Sequence, residues 1–391
     1  MGSAKYVVLS IIASINLISL NADEFDDDEF GGEEEIKIVK QEAKKDYSVY
    51  GNIKASTSYN NVKNKGISST KLSTNTHFDY SINDNLKFKS TINAYVDNQT
   101  DIKDDNDIDL NEAYLRAKIS SKIDFTIGRQ IVVWGKSDNI RITDIINPMD
   151  LSTPGMTDIK DLRLGRFMTK LDYATSRTWN LSAIVLHENR YSTMAKKGSD
   201  YYIPMRFPSK PNNNIDNTGF AFSASANLQG SDIAIYASND YVDNKIYKTN
   251  MLGFAYNIVK GSYLFKTEAA YFDNYDSDLV NSKIDALAGI EYTGFTDTTI
   301  SFEVANKNEQ IQYALRATKS YINNTLDLTL LYNAYGKDLD EGAFVRVWAD
   351  YDISDKFTSS LGFIQYQGAK NTQWEAWKDN DRLFASLAYN F

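Results

Sequence analysis

From Tyr47 to Phe391 the sequence alternates, segment after segment, between apolar and polar residues, and this period constrains the fold more than any other feature. A two-residue repeat places successive side chains on opposite faces of a strand. Between Leu86 and Asp97, Leu86, Phe88, Ile92, Ala94 and Val96 share one face, while Lys87, Lys89, Thr91, Asn93 and Asp97 share the other. Ala343, Val345, Val347, Ala349 and Tyr351 stand likewise against Phe344, Arg346, Trp348 and Asp350. Cutting at turn residues predicts strands near 47–60, 68–82, 86–98, 109–119, 123–134, 163–173, 178–188, 216–228, 232–241, 248–258, 262–272, 283–293, 297–306, 309–319, 325–335, 342–352, 356–367 and 380–391. The expected fold is all-β: a transmembrane antiparallel up-and-down β-barrel of about 18 strands, within a range of roughly 14–18.

The connections support that reading. One set is tight, such as Asn83-Asp84-Asn85, Gln229-Gly230-Ser231 and Lys260-Gly261. The other set is longer, at 99–108, 135–162, 189–215, 273–282 and 368–379. Membrane barrels of Gram-negative outer membranes have short periplasmic turns and longer outer loops. An even strand number puts both termini on the periplasmic side. The final segment, DRLFASLAYNF, places Leu383, Ala385, Leu387, Tyr389 and Phe391 on one face. It resembles the C-terminal signature that the outer-membrane insertion machinery reads, and that makes Phe391 the expected contact. A soluble, secreted β protein is the competing fold.

Ahead of the alternation, Lys5 and the apolar run Tyr6–Leu20, followed by Asn21-Ala22, read as an export signal over residues 1–22. Residues 23–46 hold eleven acidic and four basic side chains. Such a block cannot fold alone. It is read as a periplasmic leader, with a pore plug or a tail for a periplasmic partner as alternatives. Residues 47–391 are the expected barrel.

Composition narrows the chemistry. The absence of cysteine excludes disulfides, thiolate metal sites and a thiol nucleophile, and the two histidines leave little for a His-based centre. The net charge of -10 argues against nucleic acid. No cofactor and no metal are expected. No catalytic Ser-His-Asp or carboxylate set is recognisable, so an enzyme is not expected. Asp101–Asp109 lacks the spacing and glycine of an EF-hand and is read as a solvated acidic loop. His187-Glu188 lacks a nucleophile beside it.

Alternation assigns a strongly charged set to the lumen: Lys54, Lys71, Lys87, Lys89, Glu112, Arg116, Lys118, Arg166, Lys170, Asp172, Lys266, Glu268, Asp285, Glu291, Glu303, Arg316, Asp327, Arg346, Asp350 and Arg382. A lipid-facing Arg or Lys at the membrane midplane costs about 2–4 kcal/mol. These groups must therefore line water or pair across a plugged lumen. Barrels of about 16–18 strands are wide enough to leave a channel.

The stretch GRQIVVWGKSDNIRITDIINPMDLSTPG, Gly128–Gly155, carries two of the five prolines. Trp134 and Gly135 are expected at the outer end of the fifth strand, followed by a loop of roughly 25 residues, a length that is usually functional or disordered. Ile140, Ile142, Ile145, Ile146, Met149 and Leu151 are too apolar for a disordered loop. The loop is expected to fold inward as a constriction, with Lys136, Arg141, Asp144, Asn147 and Asp150 at the narrowest point; a surface cap is the alternative. Arg129 falls on the apolar parity of Phe125, Ile127, Ile131 and Val133. Either a bulge near Gly128 resets the face, or Arg129 sits above the lipid. The other three prolines lie in a second loop, where Tyr201, Tyr202, Arg206 and Phe207 are expected to form an aromatic and basic lip.

Gly128, Arg129, Gln130, Trp134, Gly135, Asp144, Asn147, Pro148 and Asp150 resemble the Gly-Arg-Gln, Trp-Gly and Asp-x-x-Asn-Pro-x-Asp pattern of a family of uncharacterised bacterial outer-membrane β-barrels. The acidic leader DEFDDDEFGG resembles that family's N-terminus. The resemblance implies a barrel often encoded beside RND-type exporters and periplasmic lipid-carrier-like proteins. A weaker similarity extends to alginate-export-type barrels. The reading is a porin-like channel or transporter of the outer membrane, passing small solutes through a charged, loop-constricted lumen. A lipid or hydrophobic-compound conduit serving a periplasmic exporter, an outer-membrane enzyme and an adhesion barrel are the rivals.

Overall fold

The computed structural model describes residues 46–63, 65–99, 102–175, 178–274 and 282–391. The expected export signal, and the acidic leader up to residue 45, lie outside them. Eighteen strands form the wall: β1 (Tyr47–Asn60), β2 (Gly66–Asn83), β3 (Leu86–Gln99), β4 (Ile102–Lys118), β5 (Ile123–Gln130), β6 (Arg166–Ala174), β7 (Trp179–Leu186), β8 (Gly219–Leu228) and β9 (Ser231–Tyr241) make its first half. The second half is β10 (Lys248–Lys260), β11 (Tyr263–Asp273), β12 (Ser282–Phe295), β13 (Thr298–Lys307), β14 (Gln310–Tyr321), β15 (Leu326–Tyr335), β16 (Ala343–Ser354), β17 (Phe357–Gln367) and β18 (Arg382–Asn390). Each strand pairs antiparallel with the next, and β1 pairs with β18 from Asn52↔Asn390 to Asn60↔Arg382. Phe391 closes the seam: its N–H donates to Gly51 O at 3.1 Å, and Gly51 N–H returns the bond at 3.0 Å. The sheet is a closed 18-stranded barrel with no free edge, as a spanning sheet requires. No helix among the described residues is long and apolar enough to cross a membrane.

The outward face is the apolar one. Leu115, Ile127, Leu171, Phe222, Ile235, Phe254, Phe302, Leu315, Phe363 and Leu387 are all exposed. Tyr47, Tyr80, Tyr173, Trp179, Tyr263, Phe295, Tyr321, Tyr351 and Phe357 collect at the end with the tight turns, where an aromatic girdle belongs. The lumen-facing parity holds polar and charged groups, so hydrophobic burial happens on the inside only where loops enter.

Two expectations about boundaries are corrected. The acidic stretch expected as a loop over 99–108 is mostly strand: β4 starts at Ile102, and β3 runs to Gln99. Strand pairing to β3 up to Gln99↔Ile102 satisfies its backbone despite the charge. The fifth strand ends at Gln130, four residues short of Trp134. There Ile131 N–H donates to Glu112 Oε1 at 3.0 Å and Val132 N–H to Asn147 Oδ1 at 2.8 Å, which turns the chain off the wall and into the barrel.

Candidate functional site: a loop-filled lumen

The segment leaving β5 lies inside the barrel, its first part packed on one sector of the wall. Trp134, Ile140, Ile142 and Ile146 bury themselves among inward side chains of β6 to β14, including Met168, Leu186, Tyr236, Ala255, Phe272, Leu287 and Ala314. Trp134 stacks on Tyr236 with ring centroids 4.7 Å apart. Small wall residues such as Ala255, Ala305 and Ala314 leave the room that this loop occupies.

The loop has little regular structure, so its backbone amides need other acceptors. Two wall carboxylates supply them. Glu268, 1% exposed, accepts from Lys136 N–H at 2.5 Å, Ser137 N–H at 2.7 Å, Thr143 N–H at 3.1 Å and Thr143 Oγ1 at 2.8 Å. Glu303, also 1% exposed, accepts from the N–H groups of Asp138, Asn139 and Ile140 at 2.9–3.0 Å. Charge-assisted bonds of this kind are worth roughly twice neutral ones. Lys266, beside them, pairs with Asp138 and with Glu291 at 3.1 Å.

The motif residues hold this fold together. Asp144, 3% exposed, accepts from Arg163 Nε at 2.8 Å and Trp134 N–H at 3.3 Å, and also pairs with Arg141. Asn147 donates to Gln130 O and Leu164 O at 3.2 and 2.9 Å. Pro148 O accepts from Leu164 N–H at 2.8 Å. Asp150 caps Ser152 N–H at 3.0 Å, and Asp150–Leu151 pairs in parallel with Thr193–Met194, tying the first loop to the second. Gln130 donates to Met168 O at 3.3 Å. Gly135, at φ +82°, sits where a Cβ would lie 2.8 Å from a Glu268 oxygen. Gly128, at φ +134°, lets β5 approach β4, since a Cβ there would meet Ala113 O at 2.3 Å. Arg129 keeps the outward parity at the loop-side end of β5, with its guanidinium 2.5 Å from Glu188 Oε1. The ladder irregularity is at Asn111 on β4, between the pairs Thr91↔Glu112 and Ile92↔Leu110, and not at Gly128. His187 lies beside Phe167 at 5.6 Å and bonds Thr169 at 2.9 Å.

The opposite sector of the lumen stays hollow. A cavity of about 610 Å³ lies against β1–β3 and β14–β18 and under residues 153–161 and 199–201 of the two loops. Lys54, Lys71, Lys160, Arg316, Arg346 and Arg382 line it, together with Asp97, Asp158, Asp161, Asp200, Asp327, Asp350 and a series of serines and threonines. Asp158, from the first loop, bridges two wall arginines: Arg316 Nη1 at 2.9 Å, and Arg346. Burial would raise its pKa, but the attraction of Arg346 and Arg316 outweighs that and holds the carboxyl below its ordinary value. Arg346 also donates to Gly155 O at 2.9 Å. Arg382 pairs with Asp200 at 3.2 Å and stacks 4.5 Å over the Tyr201 ring.

The residues expected at the constriction and along the lumen therefore divide. Arg316, Arg346 and Arg382 converge on the cavity. Arg166 is 2% exposed and grips Asp240 with both guanidinium nitrogens, and with Asp144 and Asn147 it is interior fastening. Arg141 bonds the carbonyls of Asp144 and Asn147, at 3.2 Å for the latter. Lys136 lies 3.6 Å from Asp232, below the loop. Arg116, 57% exposed in its side chain, pairs with Asp124 near the tight-turn end, away from the loops.

The expected lip also divides. Tyr202, Arg206 and Phe207 are exposed, but Tyr201 is not on the lip: it is 3% exposed and packs against Tyr366, Trp374 and Trp377. Its hydroxyl lies 2.9 Å from that of Tyr366, and Trp377 Nε1 donates to Tyr201 O at 3.0 Å. Alternation cannot reveal such a contact, because Trp374 and Trp377 belong to a loop with one turn of helix (Trp374–Trp377). Among the described residues no cluster of His, Asp or Glu has the grouping of a metal site.

The comparisons agree on architecture. The outer membrane protein OpdK of Pseudomonas aeruginosa superposes with a TM-score of 0.55 at 9% identity, over 88% of this chain and 99% of that one. OpdK determined with vanillate gives 0.57 at 8%, over 88% and 98%. OccAB2 of Acinetobacter baumannii gives 0.56 at 10%, again over 88% and 98%. At such identities the likeness is one of fold. No curated protein matches the sequence. Residues 28–201, the segment that ends within the second loop and contains the whole first one, match the family described as "Protein of unknown function (DUF1302)".

Proposed function

We propose that this protein is a porin-like channel of a Gram-negative outer membrane, passing small water-soluble solutes. One observation carries the reading. The Trp134–Ile146 part of the inward loop packs on the β6–β14 side of the lumen, and beneath residues 153–161 a cavity of about 610 Å³, lined by charged and hydroxyl side chains, remains on the other side. Water and polar solutes suit such a lining, and selectivity in pores follows the charges at close quarters. The likeness in fold to the outer membrane protein OpdK supports the same reading. The lining is too polar to favour the lipid conduit. Residues 23–46 are proposed to stay on the periplasmic side, where an exporter-associated partner would meet them.

Purified protein in planar bilayers should give discrete conductance, and deletion of 140–159 should raise it. No current, even after removal of 23–46, would sink the channel. Unchanged current on deleting 140–159 would sink the constriction. Lipid retained stoichiometrically through purification would turn the choice toward the conduit.

A further inference from the structure

A second, smaller cavity lies toward the loop end of the barrel. It is wedged between residues 141–148 of the inward loop, the ends of β9, β11 and β13, and the start of β12. Its volume is about 70 Å³, against a share of roughly 30 Å³ for one water in the liquid. It has room for a small inorganic ion.

The surrounding charges nearly cancel. Arg166 is matched by Asp240, Arg190 by Asp109 at 2.9 Å, and Lys283 by Asp285 at 2.7 Å. Two features break the balance. Arg141 and Arg163 share the single carboxylate of Asp144, and Arg141 Nε, 3.2 Å from Asp144 Oδ2, is buried without an aligned hydrogen-bond acceptor. Lys307, the last residue of β13, is half-buried in the cavity wall, and its ammonium has no hydrogen bond or ion pair among the described residues. Its charged neighbours are Asp243, Arg141, Asp285 and Lys283. Among the described residues, with Asp243 counted against Lys307, six bases face five acids, an excess of one positive charge.

We infer that this cavity is a binding site for a small inorganic oxyanion of the phosphate type, held by Lys307 and Arg141. An ammonium offers three donors and a guanidinium a planar fork, and both form short, strong bonds to oxyanions. Such an anion would complete the charge balance and bridge the wall to the loop, because Arg141 also binds the Asp144 and Asn147 carbonyls of that loop. The site stands whether or not the barrel conducts.

The test uses the full, folded protein in detergent. Inorganic phosphate should raise the unfolding temperature saturably, beyond sodium chloride at matched ionic strength. Equilibrium dialysis with radiolabelled phosphate should show one site. Lys307→Met should weaken that binding about tenfold or more, as loss of a charged hydrogen bond implies, and Lys319→Met, far from the cavity, should not. If Lys307→Met does not fold, Lys307→Gln serves. Absence of phosphate binding by the unaltered protein would overturn the site, as would equal stabilisation by chloride. So would binding unchanged in the Lys307 variants.

Discussion

Glu268 and Glu303 show how a lumen carboxylate can be structural. Each was legible from alternation as an inward charge, yet neither lines water: both are spent on amide groups of one loop. Replacing Glu268 with Gln puts an amide NH2 among three backbone N–H donors and removes the charge. The loop should lose about 3 kcal/mol of its attachment, on the scale of leaving buried donors unmatched. Conductance of the variant in bilayers should rise, while the heat-induced gel shift still reports a folded barrel. Gly135→Ala should act in the same direction, by about 1–3 kcal/mol, since φ +82° and the nearby Glu268 oxygens both oppose a Cβ. Its readout is the rate at which a protease cleaves the loop in otherwise intact protein.

At the scale of elements, the first loop behaves as a small core inserted into a polar barrel. Its isoleucines find Ala, Leu, Met and Tyr on the inward faces of β6–β14, between the carboxylates of Glu268 and Glu303 that hold its backbone. The other side of the loop is latched through Asp158. Because the folded pKa of Asp158 lies below its ordinary 3.8, the latch is fully present above that value and is lost as pH falls through the lowered one. Conductance should therefore increase only on strong acidification. Asp158→Asn should show the increased conductance at neutral pH and no further acid step. A pH profile identical to that of the unaltered protein would argue against the latch.

For the whole molecule, closure depends on the seam between the first and last strands, where Phe391 exchanges two backbone bonds with Gly51. Tyr389 lies in the same terminal girdle, its ring 5.2 Å from that of Phe357. Deleting Phe391 removes both bonds and the proposed contact with the insertion machinery. The variant should assemble more slowly in cells, measured as the fraction of heat-modifiable protein in outer-membrane preparations. Normal assembly would remove Phe391 from that role.

Local patterning is enough to specify the wall. A period of two, sustained across turn residues, puts each side chain on a face, and the medium on either side of the sheet selects which face is apolar. Strand number, the inward placement of Arg316, Arg346 and Arg382, and the turn-rich connections followed from that local rule. The end of the fifth strand, the burial of Tyr201 and the division of the charged set into fastenings and cavity lining did not. These depend on which distant groups meet inside the barrel: Asn147 with Val132, Tyr366 with Tyr201, Asp158 with two arginines. Alternation reports the face a charge occupies. Whether water or another chain segment faces it there depends on how the loops pack inside the barrel.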